Sequence, residues 1–156
     1  MREVVPIWNV TRRGRGDFRS LQTGAVESLT HPRLLVWCRL HPSQGLVEAL
    51  VDTAAQWSVL PHEFYRQQEE RIEFFTPVTE PPGQATEMAQ CRTLAGGEFP
   101  CRVGRVSLEI SSHRTHPTQL KVFAYFLDPI PNQTRGLRPL IGLGGGALDS
   151  FSQLRW

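Results

Sequence analysis

Apolar residues in this chain fall in short runs divided by glycine, proline and polar clusters, and most of the runs have strand rather than helix spacing. Arg105 to Ile110 (RVSLEI) alternates throughout, with Val106, Leu108 and Ile110 on one face and Arg105, Ser107 and Glu109 on the other. That is the period of a half-buried strand. Arg33 to Leu40 (RLLVWCRL), a run from Leu46 into Asp52 (LVEALVD), Val59-Leu60, Ile72 to Phe75 (IEFF) and Gln119 to Leu127 (QLKVFAYFL) read the same way. His41 to Gly45 (HPSQG) is a turn built on Pro42 and Gly45, so the two strands flanking it should pair as a hairpin. Ala89 to Leu94 and Glu98 to Val103 predict a second hairpin with Ala95-Gly96-Gly97 at its tip, since primed turns need positive φ.

Helical signals are few. Pro61 to Glu70 (PHEFYRQQEE) has proline at a first helical position, and Leu60, Phe64 and Tyr65 give it one apolar side. Gly144 to Ser150 predicts a short helix before a last strand, Phe151 to Trp156. Thr76 to Met88, with three prolines and Gly83, is a surface loop. Seven or more short strands with frequent turns predict an all-β domain over residues 31–156. Residues 1–30 are expected to form an N-terminal extension or edge strand: Pro6 confines a strand over Val4 to Val10 to an edge or the start of a sheet, and Thr11 to Gly16 (TRRGRG) suits a loop or mobile arm.

Composition narrows the classes of function. The 156 residues make one domain, with an ordinary hydrophobic share and a net charge of +2. That balance gives no strong attraction to nucleic acid or membrane, and the Arg-Gly tract is short and offset by Asp17. No apolar run approaches the roughly 18 residues of a membrane span. Three cysteines (Cys38, Cys91, Cys101) make no even disulfide framework and the N-terminus carries no secretory signal, so a cytoplasmic setting is expected. The cysteines read as small buried hydrophobes.

Several motifs carry no chemistry. Gly142 to Ala147 satisfies G-x-G-x-x-A, but only nine residues follow Ala147, too few for the strand and acidic residue of a dinucleotide site. His113 and His116 have no second ligand pair at zinc spacing, and no G-x-S-x-G or Cys/His signature points to a covalent nucleophile. No metal and no cofactor are expected.

One position asks for explanation. Asp is disfavoured in strands, yet Asp52 ends an apolar strand and is followed by Thr53-Ala54-Ala55. Two readings are open: a turn residue bonding to its own backbone, or a carboxylate delivered to a cleft on a tight loop. The wider string LVEALVDTAAQWSVLP resembles the active-site segment of retropepsin-like aspartic proteases, where a hydrophobic strand ends in D-T/S-G-A/S and a second strand soon resumes. The resemblance extends over about residues 33–156. The Ala95-Gly96-Gly97 hairpin falls where the family has its flap, and Leu140-Ile141-Gly142 resembles the late hydrophobic-hydrophobic-glycine motif that passes beside the catalytic loop.

The resemblance implies a retropepsin-like closed β-barrel or sandwich, active as a homodimer, and an aspartic endopeptidase. Such enzymes hold a water between two carboxylates that share one proton. This chain has a single such segment, so the second carboxylate would be Asp52 of another subunit on a twofold axis. By resemblance Thr53 braces the paired loops, Ala54 and Ala55 support them, Gln56 and Trp57 line subsites, and Ala95 to Gly97 cover an extended peptide. Trp57 reads equally as core. Ala54 departs from the family glycine: a left-handed backbone there would cost about 1–2 kcal/mol, and at negative φ the methyl faces the substrate. The alternative is therefore a catalytically impaired, protease-derived peptide-binding module.

Overall fold

The computed structural model describes residues 8–52, 55–76, 89–92, 98–111, 117–132, 136–142 and 144. Among them, nine strands and two short helical turns form an all-β domain, as the alternation requires. The strands are β1 (Trp8–Arg19), β2 (Val26–Arg39), β3 (Val47–Asp52), β4 (Ser58–Leu60), β5 (Glu73–Phe75), β6 (Ala89–Arg92), β7 (Glu98–Ser111), β8 (Thr118–Leu127) and β9 (Leu140–Gly142). The sheet runs β1-β2-β3-β9-β4-β8-β7-β5, and β6 pairs with β7. Strand β2 also pairs with β7, through Trp37 to Arg39 against Ser111 to Glu109, which joins the ends of six strands into a closed ring. Closure removes two edges that would otherwise be left unpaired.

The inner face follows from strand parity. Val36 and Cys38 on β2, Ala49 on β3, Val106, Leu108 and Ile110 on β7, and Leu120, Val122, Ala124 and Phe126 on β8 all point into one core. Tyr65 fills its middle, edge-on to Phe126, and its hydroxyl donates to the Leu127 carbonyl at 2.8 Å, which satisfies the one polar atom the ring brings inside. Burial pushes the Tyr65 hydroxyl pKa up, and pushes the Cys38 thiol up to about 12. A thiol so placed stays protonated and inert. Neither Cys38 nor Cys101 is in a disulfide, and both are wholly buried, as expected of small hydrophobes. Glu109 is buried on β7, where Arg39 binds it at 2.7 Å and Gln119 donates to it at 3.3 Å. Both Glu109 oxygens thus have donors, which offsets the cost of burying them.

Three local expectations are corrected. Thr11 to Gly16 lies within β1, because the ladder to β2 supplies its backbone partners, and the register shift between Val10 and Gly14 absorbs the irregular stretch. Glu98–Val103 and Arg105–Ile110 form one continuous strand: Gly104 has no side chain where Phe126 and Ile72 crowd in, so the ladder passes through. The helix expected over Pro61 to Glu70 is reduced to α1 (His62–Tyr65), with Pro61 at its N-cap, and a separate 3-10 turn, Glu69–Arg71. Burial of Phe64 and Tyr65 anchors α1 and no side chain caps its start. The β2–β3 and β6–β7 hairpins are present. The expected tip Ala95-Gly96-Gly97, the expected C-terminal helix beyond Gly144 and the last strand lie outside the described residues. No described helix is long and apolar enough to cross a membrane.

Candidate active site

Strands β3 and β4 are consecutive in the chain but not neighbours in the sheet, because β9 lies between them. It runs parallel to β3 (Leu50↔Leu140, Val51↔Ile141, Asp52↔Gly142) and antiparallel to β4 (Val59↔Leu140). On the way to β4, Ala55, Gln56 and Trp57 therefore arch over the end of β9. The sequence folds this way because β3 ends in a residue that strands disfavour, small residues follow, and Ser58-Val59-Leu60 resumes the extended pattern.

The arch rests on glycine. A Cβ on Gly142 would lie 2.5 Å from the Trp57 carbonyl carbon and oxygen and 2.9 Å from the Ala55 carbonyl oxygen. A Cβ on Gly144 would run into the Gln56 carbonyl oxygen. Both obstacles are main chain, which cannot swing aside as a side chain can. Only glycine lets β9 pass this close beneath the loop. Two hydrogen bonds tie the parts together: the Ala55 N–H donates to the Asp52 carbonyl at 3.3 Å, and the Gly142 N–H donates to the buried Ser58 hydroxyl oxygen at 3.2 Å. Further down, the Leu50 N–H donates to the Pro139 carbonyl at 2.9 Å and Arg138 pairs with Glu48 at 2.9 Å.

Parity puts Asp52 on the face of β3 opposite Val47, Ala49 and Val51, which pack on the core. Asp52 is partly exposed there. Register lines the same face with Leu50, Leu140, Val59 and Tyr125, all partly exposed. Trp57 stacks on Tyr125 with ring centroids 4.9 Å apart, and lies 6.2 Å from Phe123. The result is a carboxylate at one end of an apolar shelf that crosses four strands.

Of the residues expected to form the site, the fold brings together Asp52, Ala55, Gln56, Trp57, Leu140, Ile141 and Gly142. Ile141 faces the core, 4% exposed, while Leu140 faces the shelf. Gln56 is exposed, and Trp57 is a ring of the shelf rather than of the core. Thr53, Ala54 and Ala95 to Gly97 lie outside the described residues. Sequence reading missed Leu50, Val59, Tyr125 and Ser58. The signal for Tyr125 was present: in QLKVFAYFL the positions out of phase with the core, Phe123 and Tyr125, are themselves aromatic, which marks a second apolar face. Among the described residues, no group of three or more His, Cys, Asp or Glu is placed to hold a metal.

No protein-family model matches the chain, and no curated protein does. Among solved structures the chain is similar to the crystal structure of a retropepsin-like aspartic protease from Rickettsia conorii, at 12% identity and a TM-score of 0.41, covering 94% of this chain and 87% of that one. The likeness is loose in both sequence and superposition.

Proposed function

We propose that the chain is a retropepsin-like aspartic endopeptidase of the cytoplasm, acting as a homodimer in which Asp52 of each subunit supplies one carboxylate. The observation that carries this reading is the arch itself: Asp52 leaves β3 in register with Gly142 of a strand threaded beneath the loop. Asp52 and the Leu-Ile-Gly motif, 88 positions apart in sequence between Asp52 and Leu140, support it by pairing at one point. A lone turn-forming Asp would need neither the threaded strand nor the two glycines.

In this mechanism a water lies between the two Asp52 carboxyls, one ionised and one protonated. The ionised member takes a proton from the water as its oxygen attacks the scissile carbonyl carbon. The protonated member donates to the carbonyl oxygen, giving a tetrahedral gem-diol. Proton transfer to the amide nitrogen then breaks the C–N bond and releases an acid and an amine. The peptide lies extended along the shelf of Leu50, Leu140, Val59 and Tyr125, with Trp57 and Gln56 flanking it and Ala95 to Gly97 covering it. Thr53 of each subunit braces the paired loops. Backbone bonds supply affinity in such a groove and alternate side chains supply selectivity.

The test is hydrolysis of a peptide library by the purified chain, read by mass spectrometry, with sedimentation to give the oligomeric state. Wild type should cleave as a dimer, and Asp52→Asn should leave less than about a ten-thousandth of the rate, the scale on which removal of an essential acid/base group acts. Peptide binding without cleavage by wild type, or equal cleavage by Asp52→Asn, overturns the proposal; the first outcome identifies an impaired peptide-binding module.

A further inference from the structure

Ser58 is the one polar residue of β4, and it is completely buried, in line with the core residue Leu60. A hydroxyl in that position is costly unless it is hydrogen-bonded. Its partner is the Gly142 N–H, whose donor bond to the Ser58 oxygen measures 3.2 Å and is itself buried. The β4–β9 ladder holds one register pair, Val59↔Leu140, and the Ser58 oxygen takes the amide just beyond it. Gly142 is also the register partner of Asp52 on the other side of β9. The hydroxyl therefore fixes the end of β9 from one flank while the catalytic strand holds it from the other. The Trp57 and Ala55 carbonyls close over the same glycine, so a shift of Gly142 is passed directly to the arch.

We propose that Ser58 is a positioning residue: its hydroxyl latches Gly142 beneath the arch and thereby sets the placement of Asp52. The effect on rate rests on the protease reading above; the latch does not. Misplacement of a reacting group by about 1 Å lowers a rate roughly a hundredfold, and a hydrogen bond of this kind changes a local opening equilibrium about five- to tenfold.

The experiment reads two quantities on Ser58→Ala and Ser58→Thr. Amide hydrogen exchange by NMR should show Gly142 exchanging about five- to tenfold faster in Ser58→Ala, at matched global stability, and returning to the wild-type rate in Ser58→Thr. Steady-state cleavage should show kcat lowered about ten- to a hundredfold in Ser58→Ala with KM little changed, and restored by Ser58→Thr. If Ser58→Ala does not fold, Ser58→Cys, with a weak acceptor in the same place, should show an intermediate exchange rate. Unchanged Gly142 exchange overturns the latch. Faster exchange with unchanged kcat overturns the positioning role. An inactive wild type with Gly142 exchange that responds to Ser58→Ala sinks the protease reading and the catalytic role while the latch stands.

Discussion

Two glycines of this domain sit under close contacts and differ in what they touch. Gly142, beneath the arch, faces the Trp57 and Ala55 carbonyls. Gly104, midway along β7, faces the Phe126 ring at 2.8 Å and an Ile72 methyl at 2.9 Å. Main chain surrounds the first and side chains surround the second. The arch is thus a place where backbone packs on backbone, whereas at the β7–β8 wall the crowding atoms belong to a ring and a methyl, which a substitution can shorten.

Substituting the two glycines measures that difference directly. Gly142→Ala should be the more severe: a methyl with no room to yield should cost more than about 3 kcal/mol, beyond the usual range for overpacking, and abolish peptide cleavage. Urea unfolding and the cleavage assay check both, and no second substitution of a side chain should rescue it. Gly104→Ala should cost about 1–3 kcal/mol. Adding Ile72→Ala should recover part of that loss, a favourable coupling visible in a double-mutant cycle. Equal, unrescuable losses at both sites would erase the distinction.

A smaller effect belongs to the core wall alone. Burial raises the Cys38 thiol from 9.0 to about 12 and also raises Tyr65. The unfolded chain therefore gives up these protons before the folded one does. Their contribution is fully present below about pH 9 and is lost as pH climbs through the folded values. Over the first unit above pH 9 the loss should be about 1 kcal/mol, seen as a falling urea midpoint, and Cys38→Ala should flatten the decline. A midpoint that does not move between pH 8 and pH 10 would contradict the buried placement of the thiol.

Much of the wall was legible in the sequence because its signal is local. Val106, Leu108 and Ile110 alternate with Arg105, Ser107 and Glu109, and the first three do enter the core. Glu109 is buried too, on the opposite face, which alternation did not indicate; a partner 70 positions away, Arg39, covers it there. Glycine misled in two places. Gly104 looked like a strand break and is instead a gap filled by Phe126. Gly14 and Gly16 looked like a loop and lie in an edge strand whose partner supplies the bonds their own segment lacks.

The arch divides in the same way. Asp52 stood out in the sequence because a carboxylate ending an apolar strand conflicts with local propensity, and Leu140-Ile141-Gly142 could be linked to it by resemblance. Register is a different matter: it depends on pairing between segments far apart in the chain, so no window of sequence contains it. Only the tertiary structure inserts β9 between β3 and β4, sets Gly142 opposite Asp52, turns Ser58 inward to meet the glycine amide, and aligns Leu50, Leu140, Val59 and Tyr125 into one shelf. Side-chain parity is written residue by residue, while neighbourhood across a sheet emerges only when the ring closes.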